Sequence, residues 1–104
     1  MNTIRRFAAL LFLVSSPLLA QSMTVTPNGV VTGGTTLKID YSNSSLAGQT
    51  VVVTFTGGDP PVVQSIEIHL DSNGNGSGNW TTPTDWSKVY INASGVAEQV
   101  VVIT

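Results

Sequence analysis

The oxygen-bearing side chains whose spacing most resembles a metal site are at residues 71–77, with the sequence DSNGNGS. Asp71, Asn73 and Asn75 follow the spacing of the first, third and fifth ligands of an EF-hand calcium loop. The twelfth ligand would be Thr82, where an EF-hand has a bidentate glutamate, so a single carboxylate predicts weak binding. The same residues suit a tight hairpin, because Asn and Gly tolerate positive φ angles, and this interpretation is favoured.

Three aromatic residues within an eleven-residue stretch form a second candidate site. Exposed together on one sheet face, Trp80, Trp86 and Tyr90 would make a stacking platform for carbohydrate. A small β-domain also needs large apolar side chains in its core, and this interpretation is favoured for at least one tryptophan. Trp86 lies between Pro83 and Lys88 and could equally cover one end of the domain. Tyr90 is the candidate for an exposed aromatic residue.

Residues that could support acid–base or nucleophilic chemistry are few. His69 is the only histidine, and it lies two residues after Glu67 on the polar side of an alternating segment. A His and a carboxylate on one strand face could bind a metal or transfer a proton, but no third ligand is identifiable nearby. Ser65 lacks the G-x-S-x-G context of a nucleophilic serine. The chain has no Cys, which excludes disulfides and thiolate chemistry. We therefore expect neither an enzyme nor a cofactor.

The first 22 residues differ in composition from the rest of the chain. Two arginines precede an apolar run at residues 7–14, and small and turn-forming residues follow. This pattern predicts a cleavable signal peptide over residues 1–22, with cleavage after Ala20 or after Ser22, and the second position fits the small-x-small rule better because it places Ala20 at −3. The alternative is a membrane anchor, but the apolar run is well short of the about 20 residues that span a bilayer. We expect export to the periplasm, the cell surface or the medium, with no membrane span after cleavage.

Removal of the signal peptide changes the charge of the chain. Both arginines lie within that peptide, so two lysines and six acidic residues remain, and two minus six gives a net charge of −4. A nucleic-acid partner needs a basic face and is therefore excluded. Attraction to an anionic membrane surface is also unfavourable. Because small exported domains often depend on disulfides, a domain without Cys must be held by its apolar core. The short leader and the lack of Cys fit a bacterial origin.

The remaining chain is rich in Val, Ile and Thr, which favour strands, and it shows repeated alternation of apolar and polar residues. Turn-forming residues separate the alternating segments. The pattern predicts one domain over residues 23–104, an all-β antiparallel sandwich of about seven strands. The expected strands are 23–27, 35–41, 50–56, 63–71, 77–82, 87–93 and 96–103. The residues expected on their apolar faces include Leu37, Ile39, Tyr41, Val51, Val53, Phe55, Ile66, Ile68, Leu70, Val89 and Ile91.

Three segments of the chain resemble bacterial immunoglobulin-like (Big-type) domains. The segment LAGQTVVVTFT at residues 46–56 is similar to the AGQTVTVTVTG strand of that family, and LDSNGNGSGNW at residues 70–80 resembles its D-x-N-G hairpin. The closing VYINASG at residues 89–95, with the Val-rich strand after it, is also similar. The chain lacks the Cys pair and intervening Trp of antibody-type domains. The resemblance implies a β-sandwich with a surface or extracellular role, and it implies no activity.

These features together predict a non-catalytic exported domain that contacts another protein or a component of the cell envelope. The contact would use an exposed sheet face or an edge strand. The Val-rich segment at residues 100–103 is one candidate for strand addition, although an ordinary sandwich strand is favoured there. The alternative is a small ligand-binding module, which would bind carbohydrate through Trp80, Trp86 and Tyr90 or bind calcium weakly through residues 71–77.

Overall fold

In the computed structural model, the described part of the chain is residues 21–104. The predicted signal peptide lies outside this part except for its last two residues. Gln21 and Ser22 begin the first strand, where they pair with Asn43 and Ser42 of a neighbouring strand. The boundary expected after residue 22 therefore falls inside a paired strand.

The described part of the chain consists of short strands joined by turns, with one 3₁₀ helix at Ser44–Leu46 and no α-helix. The Val-, Ile- and Thr-rich segments form the strands, and Gly-, Asn- and Pro-containing segments form the turns between them. The eight strands are β1 (Gln21–Thr26), β2 (Val30–Val31), β3 (Thr36–Asn43), β4 (Thr50–Gly57), β5 (Val62–His69), β6 (Asn75–Thr81), β7 (Lys88–Asn92) and β8 (Gln99–Ile103).

The strands form two sheets that pack in a sandwich-like arrangement. One sheet has three strands in the order β1-β3-β6, and the other has five in the order β2-β8-β7-β4-β5. All pairs are antiparallel except the pair of β2 with β8, in which Val30 and Val31 lie opposite Val102 and Ile103. The five-stranded sheet is therefore mixed, whereas the sequence predicts only antiparallel pairs. The two residues of β2 are too few to show an alternation, and turn-forming residues lie on both sides of them.

The core lies between the two sheets, and nearly every strand contributes to it the side chains on one of its two sides. Leu37, Ile39 and Tyr41 of β3 are buried, and the alternating residues of β4 are buried opposite them. Ile66 is only partly buried, although the alternation places it on the apolar face of β5. The remaining buried hydrophobic residues of the described chain include Met23, Val25, Val31, Val51, Val53, Phe55, Ile68, Leu70, Trp80, Trp86, Val89, Ile91, Val101 and Ile103.

The described residues contain no helix that is long and apolar enough to cross a membrane.

Candidate functional site

Both tryptophans of the candidate aromatic site lie in the core. The Trp80 ring stacks on Phe55 with a centroid separation of 4.2 Å and an interplanar angle of 7°. Trp86 packs against Trp80 at 5.7 Å, and each tryptophan is only 7% exposed. The indole N–H of Trp80 donates a hydrogen bond of 3.0 Å to Oε1 of Gln64, which satisfies its polar group at the sheet margin. The three predicted aromatic residues therefore do not form one exposed platform.

Trp86 covers one end of the sandwich, and two glycines make room for it. A Cβ atom on Gly57 would lie 2.5 Å from Cε3 of Trp86 and 2.6 Å from the Lys88 carbonyl oxygen. Gly58 has a φ of 87° and also lies against the indole ring. The indole thus packs directly on the backbone at the end of β4, which is possible only where side chains are absent.

Tyr90 is the one residue of the aromatic set with a half-exposed side chain, and it borders a cleft. The Lys88 ammonium lies 5.6 Å from the centroid of its ring, within the range of a cation–π contact. The cleft has a volume of about 200 Å³, below the roughly 300 Å³ at which drug-sized ligand pockets begin. Its lining residues are Gly57, Gly58, Asp59, Asp85, Ser87, Lys88 and Tyr90. The sequence gives no spacing signal for this grouping, because the two aspartates lie in separate turns.

The candidate calcium segment forms the turn between β5 and β6. Oδ1 of Asp71 accepts hydrogen bonds of 2.9 Å from the backbone N–H groups of Asn73 and Asn75. The N–H groups of Asn75 and Asn73 that donate to this carboxylate hold the pKa of Asp71 below its ordinary value. The Asp71 carbonyl oxygen accepts from the backbone N–H groups of Gly74 and Gly48, each at 3.0 Å. This aspartate therefore closes the turn.

The other expected ligands of the segment are partly engaged with the sheet. Oδ1 of Asn75 accepts a hydrogen bond of 2.6 Å from the Ser42 hydroxyl on β3. Two of the three proposed ligand oxygens are thus hydrogen bonded within the turn or to its neighbouring strand. Within residues 21–104, no group of three His, Cys, Asp or Glu side chains could hold a metal ion together.

His69 pairs with its cross-strand neighbour. Its Nδ1 lies 2.7 Å from Oγ1 of Thr50, which is directly opposite on β4. Ser65 and Glu67 occupy the same outer side of β5, since residues two apart on a strand share a face. All three side chains are exposed.

The outer face of the three-stranded sheet is polar throughout. Only hydroxyl, amide and charged side chains occur there, because every apolar residue of these strands lies on the opposite, buried side. Lys38 and Asp40 form an exposed ion pair at 3.8 Å, and Thr36 hydrogen bonds to Thr81 across the sheet. The residues of this polar face are Ser22, Thr24, Thr26, Thr36, Lys38, Asp40, Ser42, Asn75, Ser77, Asn79 and Thr81.

The outer face of the five-stranded sheet is different, because it carries exposed apolar side chains, most of them valines. The described residues include six exposed large hydrophobic residues, all of them valines, and five of the six lie on this face. The sixth, Val62, lies opposite Gly57 on the inner side of the sheet. We call the following residues the valine face: Val30, Val52, Val63, Tyr90, Val100 and Val102.

The strand register brings four members of the valine face side by side, namely Val30, Val102, Val100 and Tyr90, whereas Val63 lies beyond Thr56 and Val52 lies two rows further along β4. Val100 lies opposite Tyr90, which is opposite Thr56, which is opposite Val63, so one row crosses four strands. In the adjacent row, Val102 lies between Val30 on β2 and Lys88 on β7. Alternation along each strand predicts that these residues share a face, but it does not predict which strands are neighbours. The grouping was therefore not visible in the sequence.

The last strand is internal over part of its length. β8 pairs with β7 on one side and with β2 on the other, where the contact covers Val102 and Ile103. Strand addition at residues 100–103 is thus obstructed at its C-terminal half.

Comparison of the chain with protein-family models, with curated proteins and with solved structures gave no significant match in any of the three.

Proposed function

We propose that this protein is a non-catalytic exported domain that contacts another protein or an envelope component through the valine face. The observation that carries the proposal is the difference between the two outer faces. One face is entirely polar, whereas the other carries five valines that are 42% to 66% exposed, and three of them, Val30, Val100 and Val102, adjoin one another and Tyr90. Isolated exposed valines are ordinary, but a contiguous apolar group on a small domain is typical of an interaction surface.

The energetics favour contact with an apolar surface. Full burial of a valine side chain stabilises by roughly 1.5 kcal/mol or more, so burying the exposed half of one contributes about 1 kcal/mol. The ring of Tyr90 lies between Val100 and Thr56 and adds an aromatic anchor of the type that is enriched at interfaces. Lys88 and Glu67, at the margins of the same face, would form part of a polar rim.

The strand order supports an immunoglobulin-like sandwich as the finer description of the fold. If β1, β3 and β6 are strands A, B and E, then β8, β7, β4 and β5 take the places of G, F, C and C′. This is the arrangement in which a variable-type domain adds strands to its GFC sheet. Strand β2 would be an addition beside G. The segments that resemble bacterial immunoglobulin-like domains fall on β4, on the β5–β6 turn and on β7, which agrees with this assignment.

The beginning of β1 supports cleavage after Ala20 rather than after Ser22. Cleavage after Ala20 leaves Gln21 and Ser22 to pair with Asn43 and Ser42, whereas the later cleavage removes both residues from the sheet. Export itself rests on the leader pattern of residues 1–22. The N-terminal sequence of the protein recovered outside the cytoplasm distinguishes the two positions.

Photo-crosslinking in the native cell tests the proposed contact. A photoreactive amino acid replaces Val102 on the valine face, and the matched control replaces Asn79 on the polar face. Both positions are exposed on strands, so access to the reagent is similar. We expect a discrete heterologous adduct from position 102 and none from position 79. Equal adducts from both positions, or none from position 102, would overturn the proposal.

A saccharide-binding function is the second candidate, and the cleft beside Tyr90 is the observation that favours it. The cleft combines one aromatic ring with the carboxylates of Asp59 and Asp85 and the hydroxyl of Ser87. These are groups that can stack on and hydrogen bond to a sugar. Binding to a glycan that is lost in Tyr90→Ala, with folding retained, would favour this function over protein contact.

A further inference from the structure

Strand β5 has a long edge that is free over most of its length. It ends the order of the five-stranded sheet, runs for eight residues, and is exposed at six of them. It contains neither Lys nor Pro, the residues that commonly prevent edge-to-edge pairing. The edge at β2 is only two residues long, and the edge at β1 is partly closed because the Gln99 side chain donates to the Met23 carbonyl oxygen at 2.6 Å. The remaining edge, β6, is seven residues long and includes two glycines, and its Asn75 carbonyl oxygen already accepts a hydrogen bond of 2.9 Å from the Asp71 N–H. Among the described residues, β5 is therefore the longest free edge available to an added strand.

The hydrogen-bond pattern shows which backbone groups of β5 point outwards. The N–H of Leu70 donates to the Gln49 carbonyl oxygen at 2.9 Å, towards the β4 side of the sheet. In an antiparallel ladder such bonded pairs recur at every second residue. The even-numbered residues of β5 therefore bond to β4. Val63, Ser65 and Glu67 direct their N–H and C=O groups away from the sheet.

One end of this edge is covered by β6. A Cβ atom on Gly76 would lie 2.8 Å from the His69 carbonyl oxygen, so the two backbones approach closely there. At the other end, Pro61 has no N–H to donate. The available stretch is thus centred on Ser65. On each side of it lies one residue, Val63 or Glu67, whose backbone N–H and C=O groups are both free to pair.

We propose that β5 pairs antiparallel with β5 of a second copy of this chain, about a two-fold axis at Ser65. In this register Ser65 lies opposite Ser65 of the partner copy, and Val63 lies opposite Glu67. Three bonded pairs form, with about six backbone hydrogen bonds. Facing serine hydroxyls can also hydrogen bond across an antiparallel pair.

The other two-fold registers are less favourable. A shift that centres the pair on Glu67 places two carboxylates directly opposite each other, which is destabilising. A shift centred on Ile66 uses His69, whose carbonyl group is covered by β6. A shift in the opposite direction, centred on Gln64, uses Pro61, which cannot donate. The free edge therefore selects one self-complementary register, and a second copy of the chain supplies the matching edge without any further partner.

Pairing in this register would join the two five-stranded sheets into one sheet of ten strands. Directly opposed residues share a face, so both valine faces would lie on the same side of the joined sheet. The inference does not depend on the proposed contact of the valine face, because it uses backbone groups at the edge of β5, whereas that contact uses side chains on the outer face of the sheet.

Single-cysteine variants test the register directly, since the chain has no Cys of its own. In the proposed pair the two Ser65 Cα atoms would be about 5.5 Å apart, within the range that a disulfide spans. The two Val63 Cα atoms would be about 14 Å apart, because they are offset by four residues along the strand as well as by the separation of the two strands. The purified full-chain protein is oxidised at increasing concentration and analysed on a non-reducing gel.

We expect Ser65→Cys to form the disulfide-linked dimer at least ten times faster than Val63→Cys or Glu67→Cys. Fastest crosslinking through Glu67→Cys, or equal rates at all three positions, would overturn the register. Thermal unfolding of each reduced variant shows that the compared proteins are folded.

Sedimentation equilibrium provides the second measurement. Ser65→Lys places two ammonium groups opposite each other and should raise the dimer dissociation constant at least tenfold. Thr24→Lys is the matched control, because it adds the same charge at an exposed position of strand β1, in the other sheet, and leaves the edge of β5 unchanged. A wild-type protein that remains monomeric at millimolar concentration overturns the proposal. That result would leave the crosslinking test at Val102 unaffected, so failures of the two proposals are distinguishable.

Discussion

A buried hydrogen-bond network around Tyr41 joins three parts of the chain. The Tyr41 hydroxyl donates to the Ser94 carbonyl oxygen and accepts a 3.1 Å hydrogen bond from Nδ2 of Asn43. Oδ1 of Asn43 in turn accepts from the backbone N–H of Ser45 at 3.1 Å and caps the 3₁₀ helix. Within the described chain, no buried side-chain polar atom lacks a hydrogen-bond partner. The network therefore connects β3 to the turn between β7 and β8.

Tyr41→Phe should destabilise the domain by about 1 to 3 kcal/mol, because it leaves the Asn43 amide and the Ser94 carbonyl without this partner. Urea unfolding followed by tryptophan fluorescence measures the change, since both tryptophans are buried. The matched control is Tyr90→Phe, which removes a hydroxyl from a half-exposed ring and should change the free energy of unfolding by less than about 0.5 kcal/mol. Equal effects of the two substitutions would contradict the role of the network.

At the scale of elements, the alternation of side chains was the most informative signal in the sequence. It placed Leu37, Ile39 and Tyr41 on the buried face of β3, and the structure confirms that face. The predicted strand ends differ from those of the structure by up to three residues, because β-strand termini depend on pairing. β6 begins two residues before its predicted start, since Gly76 and Gly78 have no side chains that could show an alternation. These glycines must be small because β5 packs closely against them. That contact is between different strands, so the local sequence pattern does not predict it.

Strand pairing was not predictable from single segments. The parallel contact of β2 with β8 joins residues more than 70 positions apart, and no local pattern encodes it. The burial of Trp86 likewise depends on its position over Gly57, on a strand that ends about 30 residues earlier. A single sequence shows which face of each strand is apolar, but it does not show which strands pair or which faces pack together. The cleft and the valine face could therefore be found only after the strands had been arranged in sheets.

The turn between β5 and β6 should make the stability of the domain depend on pH. The N–H groups of Asn75 and Asn73 stabilise the ionised carboxylate of Asp71, so its folded-state pKa lies below the unfolded value of roughly 3.9. A lowered folded-state pKa means that this contribution is present above about pH 4 and is lost as the pH falls through the folded-state pKa.

Asp71→Asn keeps an oxygen acceptor for both N–H groups but removes the charge. We expect the variant to be less stable than the wild type at pH 7, and the difference to disappear at pH 2. Urea unfolding across this range measures it. Asp85→Asn, which removes one negative charge from another exposed turn, is the control for net charge. A difference that stays constant from pH 7 to pH 2 would show that the charge of Asp71 does not act through this turn.

At the scale of the whole molecule, the two outer faces lie on opposite sides of one core but meet different requirements. The polar face carries hydroxyl and amide groups that water satisfies, and its single ion pair at Lys38 and Asp40 is exposed and contributes little to stability. The valine face has valines at exposed strand positions where threonines would also fit and would interact better with water. Since valine and threonine have similar shapes and both favour strands, strand formation alone does not explain this choice.

The double substitution Val100→Thr and Val102→Thr should separate fold stability from surface function. Both valines point to solvent from β8, so replacing a methyl group with a hydroxyl should change the free energy of unfolding by no more than about 1 kcal/mol. The same change removes apolar area at the centre of the valine face, so retention on a hydrophobic-interaction column should fall. With a photoreactive residue placed at position 30, the yield of the crosslinked adduct should fall as well. The matched control, Thr36→Val with Thr81→Val, makes the reverse change on the polar face and should raise column retention without creating the adduct. If the threonine variant keeps the full adduct yield, the contact does not depend on the apolar character of this face. If it unfolds, the two side chains contribute more to folding than their exposure of 44% and 42% implies.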